Sequence, residues 1–173
     1  MTKRKRIHIK DVTNKWKKYA NPGLGIIEIS DYTVAKSGRV FDKTNAKFGK
    51  INEEEINIGT WFKNTIWGDV MIQRGLTEPE CEPSADLLIL NNFSLIREQT
   101  IEIKTLGKTK RLDGVDTRLK SGKKQSSNIL FDITKTTLDK GAVIDRAKKY
   151  LDGSDWLKVL IIKNDRNYVV YTK

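Results

Sequence analysis

Pro83-Ser-Ala-Asp-Leu-Leu-Ile-Leu-Asn-Asn-Phe-Ser-Leu-Ile-Arg-Glu-Gln-Thr-Ile-Glu-Ile-Lys104 is the stretch on which the fold turns. Asp86 opens an apolar burst, Leu87 to Leu90, and Asn91-Asn92 is a turn signal. Gln99 to Lys104 alternates with period two and reads as a second strand pairing with the first. Residues two apart on a strand share a face, so Glu102 and Lys104 point the same way. If the two strands pair as a hairpin, Asp86 comes alongside Glu102. Two carboxylates set this way form a hard oxygen site suited to Mg2+ or Mn2+. Lys104 would then lie beside the ion, where it could orient or deprotonate water or neutralise developing charge. As a strand lysine at a sheet rim, it is expected to add little to the core.

Downstream, residues 105–113 form a basic loop and 114–126 a weakly apolar helix carried by Val115 and Leu119. Asn128 to Thr134 is a buried strand. Residues 139–151 are a helix with Ala142, Val143, Ala147, Tyr150 and Leu151 on its apolar side, stopped by Asp152-Gly153. Residues 156–163 and 167–172 form a hairpin around Asn164-Asp165-Arg166. Upstream, residues 52–67 read as a helix. Asn52 is its N-cap, Glu53 to Glu55 suit the positive end of the dipole, and Ile58, Trp61, Phe62 and Ile66 recur at helical spacing. Gly68 stops it. Val70 to Gln73 is a short strand, and residues 75–85, with two prolines, a loop. Before these, Gly25 to Ser30 is strand-like and residues 31–50 are polar and turn-rich. Residues 11–20 read as a short helix with Val12, Trp16 and Tyr19 on one side, and residues 1–10 as a basic arm. The expectation is a mixed α/β fold, a central mixed sheet flanked by helices, over residues 51–173, with a basic N-terminal appendage over 1–50.

Composition narrows the chemistry. The 173 residues carry 33 Lys and Arg against 22 Asp and Glu, a formal charge of +11. Such an excess favours a polyanionic partner, nucleic acid before an anionic membrane. The single cysteine, Cys81, excludes an intramolecular disulfide framework and a multi-Cys zinc site. The single histidine, His8, excludes a two-His metal site. No apolar run approaches the ~20 residues of a membrane-spanning helix. The first residues lack the apolar core of a secretory signal. Met1 fits either a free-standing protein or a domain cut from a longer chain.

The charge is segregated. Residues 1–18 net +7, residues 53–86 net −6, and residues 104–124 net +6. Phosphate binding wants cations throughout. Carboxylates between basic flanks point instead to a cation held where a phosphodiester will sit. Lys3, Arg4, Lys5, Arg6, Lys108, Lys110, Arg111, Arg118, Lys120, Lys123 and Lys124 are the candidate phosphate contacts. Trp16 and Tyr19 could stack on bases or dock the N-terminal helix. Cys81 has no basic neighbour in sequence to activate it.

Asp86 followed by Glu102-x-Lys104, after an acidic helix, resembles the PD-(D/E)XK nuclease superfamily, although Pro83 stands three residues before Asp86 rather than adjacent. The run from Glu55 through Trp61-Phe62-Lys63-Asn64, then Pro83 to Asp86, Glu102 to Lys104, Gln125, the strand 128–134 and the hairpin after Trp156, resembles more narrowly the C-terminal nuclease toxin domains of contact-dependent growth inhibition proteins and related phage and mobile-element domains. The resemblance covers roughly residues 52–173. It implies a metal-dependent endonuclease acting on tRNA, other RNA or DNA, with Asp86 and Glu102 as metal ligands and Lys104 as the catalytic lysine. It further implies that Glu55 supports the metal through water, with Glu53 and Glu54 competing for that role. Gln125 would match a polar residue on the following helix. The resemblance also implies delivery from outside, action in the cytoplasm, and a cognate immunity protein as partner. Two other readings stay open: a metal-independent ribonuclease of the barnase, colicin and RelE-like group, and a non-catalytic nucleic-acid-binding protein of a mobile element.

Overall fold

The computed structural model describes residues 17–18, 27–44, 46–65, 69–78, 82–91 and 100–173. The basic arm with Lys3, Arg4, Lys5, Arg6 and His8 lies outside them, as do Trp16, Tyr19, Ile66, Gly68 and Cys81. The chain is mixed α/β and divides into two compact units, residues 1–95 and 96–173.

In the first unit, β1 (Lys17–Lys18), β2 (Ile27–Ile29), β6 (Asp69–Ile72) and β8 (Leu87–Asn91) line up side by side. The β2–β6 pairing is parallel and the other two are antiparallel. Helix α1 (Glu53–Thr65) starts where the sequence places it: Asn52 Oδ1 accepts from Glu55 N at 2.7 Å. It buries Ile58, Gly59, Phe62 and Lys63.

Three expectations fail here. The helix over 11–20 is wrong at Lys17–Lys18, which form strand β1; their partners are Ile29 and Glu28. The polar stretch 31–50 is not simply a run of turns. It holds β3 (Tyr32–Val34), β4 (Val40–Asp42) and β5 (Lys47–Phe48). β3 and β4 pair with each other, turning through Gly38, whose φ of 88° suits a residue without Cβ. β5 pairs with β7 (Leu76–Glu78), inside the segment read as a loop. These short strands are held by Ala35, Phe41 and Leu76, which bury together.

The second unit carries the sheet β9 (Thr100–Thr105), β10 (Asn128–Asp132), β11 (Val159–Asn164) and β12 (Asn167–Thr172), in that spatial order. β9, β10 and β11 run parallel and β12 returns antiparallel. Helices α2 (Gly114–Ser121) and α3 (Lys140–Gly153) cover one face. There Val115, Leu119, Val143, Ala147 and Leu151 pack on Ile129, Phe131, Leu160 and Ile162. Asp139 caps α3 by accepting from Ala142 N at 2.8 Å. The α2–α3 pair is tied by a bidentate bond from Arg146 to Asp116, and this raises the Arg146 pKa further. Helix α2 is shorter than expected because residues 122–125 leave the helix in successive turns.

Gln73, adjoining β6, deserves a test of its own. Its buried amide accepts from Val34 N at 2.7 Å and donates to Ala85 O at 2.9 Å. Gln73→Leu leaves those two backbone groups unsatisfied in the interior, which costs about 1–3 kcal/mol per group. Urea denaturation is expected to show a lower midpoint with an unchanged slope, and an unaltered midpoint would remove Gln73 as a structural link.

Candidate active site

Asp86 reaches its position by backbone bonding. Lys36 N donates to Pro83 O at 2.7 Å, Ser84 bridges Ala35, and Gln73 N donates to Asp86 O at 2.8 Å. The segment 83–86 is thereby fastened to the elements around it just before β8 begins. Of the three glutamates opening α1, Glu53 and Glu54 are exposed and Glu55 is half-buried. Glu55 completes a reciprocal cap: its carboxylate accepts from Asn52 Nδ2 at 3.0 Å and from Asn52 N at 3.4 Å. Burial first, and then the negative charge of Asp86, push the Glu55 carboxyl above its ordinary pKa, against the lowering effect of the Asn52 bonds. Glu55 and Asp86 are therefore electrostatic neighbours in the first unit.

Glu102 and Lys104 belong to the second unit. They share a face of β9, as the period of two requires, and Lys104 Nζ donates to Glu102 Oε1 at 2.6 Å. The rim position expected for Lys104 is not observed. Its side chain is 15% exposed and that of Glu102 5%. The register explains this, because Glu102 pairs with Ile129 and Lys104 with Phe131, both fully buried beneath α2 and α3. The Lys104 stem passes the turn ending α2, where a Cβ built on Gly122 would stand 3.4 Å from Lys104 Cε and 2.7 Å from Ile129 Cδ1. A side chain there would press on the end of Ile129, the cross-strand neighbour of Glu102.

Gln125 lies past the end of α2 rather than on it. In the amide orientation that matches donors to acceptors, its nitrogen donates to Ser121 O at 3.0 Å and Gly122 O at 3.3 Å, so it caps the helix. Lys108, Lys110, Arg111, Arg118, Lys120, Lys123 and Lys124 are all exposed. Arg111 pairs with Asp113 at 2.6 Å and Lys123 with Asp155 at 3.9 Å. Sequence reasoning missed Gln73 and Gly122 as positioning residues; a lone glutamine and a lone glycine carry no pattern.

The donor chemistry fits a hard divalent cation. A carboxylate whose proton affinity is raised by a neighbouring carboxylate, as that of Glu55 is by Asp86, is what such a cation relieves. Among the described residues no three His, Cys, Asp or Glu are grouped to cage a metal. Mg2+ rarely uses such a cage; it is held by one or two carboxylates, waters and substrate phosphates.

Residues 94–168 match the family model of the contact-dependent growth inhibition CdiA C-terminal domain. The match spans under half of the chain. It takes in Glu102, Lys104 and Gln125 and leaves out Glu55 and Asp86. Among solved structures, the chain is similar to one from a CdiA-CT/CdiI toxin and immunity complex of Burkholderia pseudomallei. They are 14% identical with a TM-score of 0.49, over 75% of this chain and 98% of that one. No curated protein matches. No helix among the described residues is long and apolar enough to cross a membrane.

The raised Glu55 pKa makes a signed prediction in metal-free buffer. A carboxyl whose folded pKa lies above its unfolded value binds more protons when folded, so its contribution to stability falls as pH rises through that window. Glu55→Gln keeps the cap and removes the repulsion from Asp86. Its stability relative to the parent is expected to rise as pH increases from about 4 to 7. Parallel stability curves for the two proteins would exclude the Glu55–Asp86 coupling.

Proposed function

We propose that the chain is a metal-dependent nuclease toxin hydrolysing phosphodiester bonds of RNA or DNA, with a PD-(D/E)XK-type site. In this reading Asp86 and Glu102 hold Mg2+ or Mn2+, Glu55 supports the ion through water, and Lys104 is the catalytic lysine. One observation carries it: a carboxylate and an ammonium held 2.6 Å apart on the helix-covered face of β9. They also lie within the stretch that matches a growth-inhibition family. Putting two charges under helices costs desolvation that a hydrophobic pair would avoid, so the pair calls for a reason beyond stability. When bound, the ion would act as a Lewis acid on the phosphoryl oxygen and lower the pKa of attacking water. Lys104 would bring its proton and positive charge to the phosphate oxygens, and Glu102 fixes the orientation of that ammonium.

A toxin of this kind would be delivered from outside and act in the cytoplasm of the target cell. The cell that makes it needs a cognate immunity protein, and an acidic surface on that protein would match the exposed lysines.

The decisive experiment incubates the protein with total tRNA, single-stranded DNA and plasmid, in Mg2+, Mn2+ or EDTA. Cleavage is expected with either ion and not with EDTA. Asp86→Asn and Glu102→Gln are each expected to lose on the order of a hundredfold or more, the equivalent of several kcal/mol of metal-ion catalysis. Lys104→Met removes turnover and also lowers Tm, because it leaves the Glu102 charge under the helices without its ammonium. The double variant Glu102→Gln/Lys104→Met is expected to recover Tm but not rate, which separates the chemical role from the structural one. Cleavage that persists in EDTA and in Asp86→Asn would replace this reading with a metal-independent ribonuclease. No cleavage under any condition would leave a binding protein.

A further inference from the structure

The C-terminal ends of α2 and α3 flank a cleft of about 410 Å3 within the second unit. Lys120 and Lys123 line it from one side, Lys149, Tyr150 and Trp156 from the other, and Asp155 is the one acid on its wall. Lysines near helix C-termini ordinarily serve the last carbonyls and the negative end of the dipole. Here those carbonyls are already served. Lys173 Nζ donates to Leu151 O at 3.5 Å, to Asp152 O at 3.0 Å and to Ser154 O, closing α3. Gln125 and the Gly122 N–H close α2. The side chains of Lys120 and Lys149 are exposed and make no hydrogen bond or ion pair among the described residues.

The aromatic wall is fixed. Ser154 Oγ accepts from Trp156 N at 3.3 Å and from Leu157 N at 3.0 Å, which sets the turn carrying the indole. Tyr150 and Trp156 meet edge to face, with centroids 6.4 Å apart at 72°. Both rings are partly buried against the α2–α3 core, so they are held in place before anything binds. A T-shaped pair leaves both faces of one ring outside their mutual contact.

We infer that this cleft is a subsite for single-stranded nucleic acid, in which a base stacks on the Trp156–Tyr150 pair while flanking phosphates lie against Lys120, Lys123 and Lys149. Cations beside a preset aromatic surface are the two components that single-strand grooves combine. Lys120 and Lys123 of its wall bracket in sequence the Gly122 turn, against which the Lys104 stem lies. The inference rests on the nucleic-acid reading above.

The test uses the full chain in EDTA with oligouridylate and oligothymidylate of about ten nucleotides, a length one groove can track. Inorganic polyphosphate is the polyanion without bases. Lys120→Gln/Lys149→Gln is expected to weaken oligonucleotide binding and to flatten the log K against log salt slope by about 1.4, roughly 0.7 per phosphate contact on a single strand. Trp156→Phe keeps an apolar ring in the wall. It is expected to abolish part of the tryptophan quenching seen on oligonucleotide binding and to weaken that binding several-fold, while leaving polyphosphate binding and Tm unchanged. If the parent binds both oligonucleotides and neither variant alters slope or quenching, the cleft is overturned and the nuclease reading stands. If polyphosphate binds as tightly as oligonucleotide and Trp156→Phe changes neither, the cleft takes an acidic surface such as an immunity protein, and the inference fails. If the parent binds no oligonucleotide at low salt, the nucleic-acid reading falls with it.

Discussion

The parallel register of β9 on β10 is the constraint from which the second unit follows. Setting Glu102 beside Ile129 and Lys104 beside Phe131 turns two charged side chains toward the helix-covered face of the sheet. Charges there cannot be left apart. At 2.6 Å they neutralise each other, and the lysine stem lies against the Gly122 turn that ends α2, where a Cβ would press on Ile129 Cδ1. Gln125 then caps the shortened helix, so a residue expected near the chemistry instead keeps the roof of the pair in place.

The first unit solves a different problem, that of holding a short irregular segment in a defined place. Residues 83–86 belong to no strand of their own, yet Ala35, Lys36 and Gln73 each take up one of their backbone groups or pair with it. Glu55 combines a capping role with an unfavourable electrostatic neighbour. Its bonds to Asn52 start the helix, and the same bonds fix the carboxylate near enough to Asp86 for the two charges to oppose each other. The cap therefore carries an electrostatic cost that the Asn52 bonds offset only in part.

Much of this was readable in the sequence, for reasons that differ by element. Helices α1 and α3 announce themselves by 3.6-residue periodicity and by a capping side chain at the first turn, so their ends fall close to where Asn52, Asp139 and Gly153 put them. The buried strands β8, β10 and β11 are continuous apolar runs bounded by polar turns. The short strands β3, β4, β5 and β7 escape because strands of two or three residues are too brief for a period to show, and β5 and β7 are also distant from each other in sequence. Lys17–Lys18 escape because a strand made of two lysines has no hydrophobic signal at all. For the site, spacing alone correctly places Glu102 and Lys104 on one face. It cannot tell that the face is the covered one, since Glu-x-Lys looks the same on either side of a sheet. What decides it is the pairing with Ile129 and Phe131 far along the chain.

The positive charge of the second unit also divides by use. Lys104, Lys140, Lys163 and Lys173 are committed inward: to Glu102, to Asn164, to Asp132 and Thr134, and to the carbonyls ending α3. These cations hold side chains and chain ends together and would be present in a protein that never met a polyanion. Lys108, Lys110, Lys120 and Lys124 are exposed and enter no ion pair among the described residues. Net charge counts both groups alike and so overstates the surface available to phosphate. The second group is the relevant one: these four come from the loop before α2 and the end of that helix, and Lys149 of α3 belongs with them. A cation left in water by the fold costs little to keep, but like charges gathered on one stretch repel one another. Their concentration on that stretch therefore opposes folding slightly.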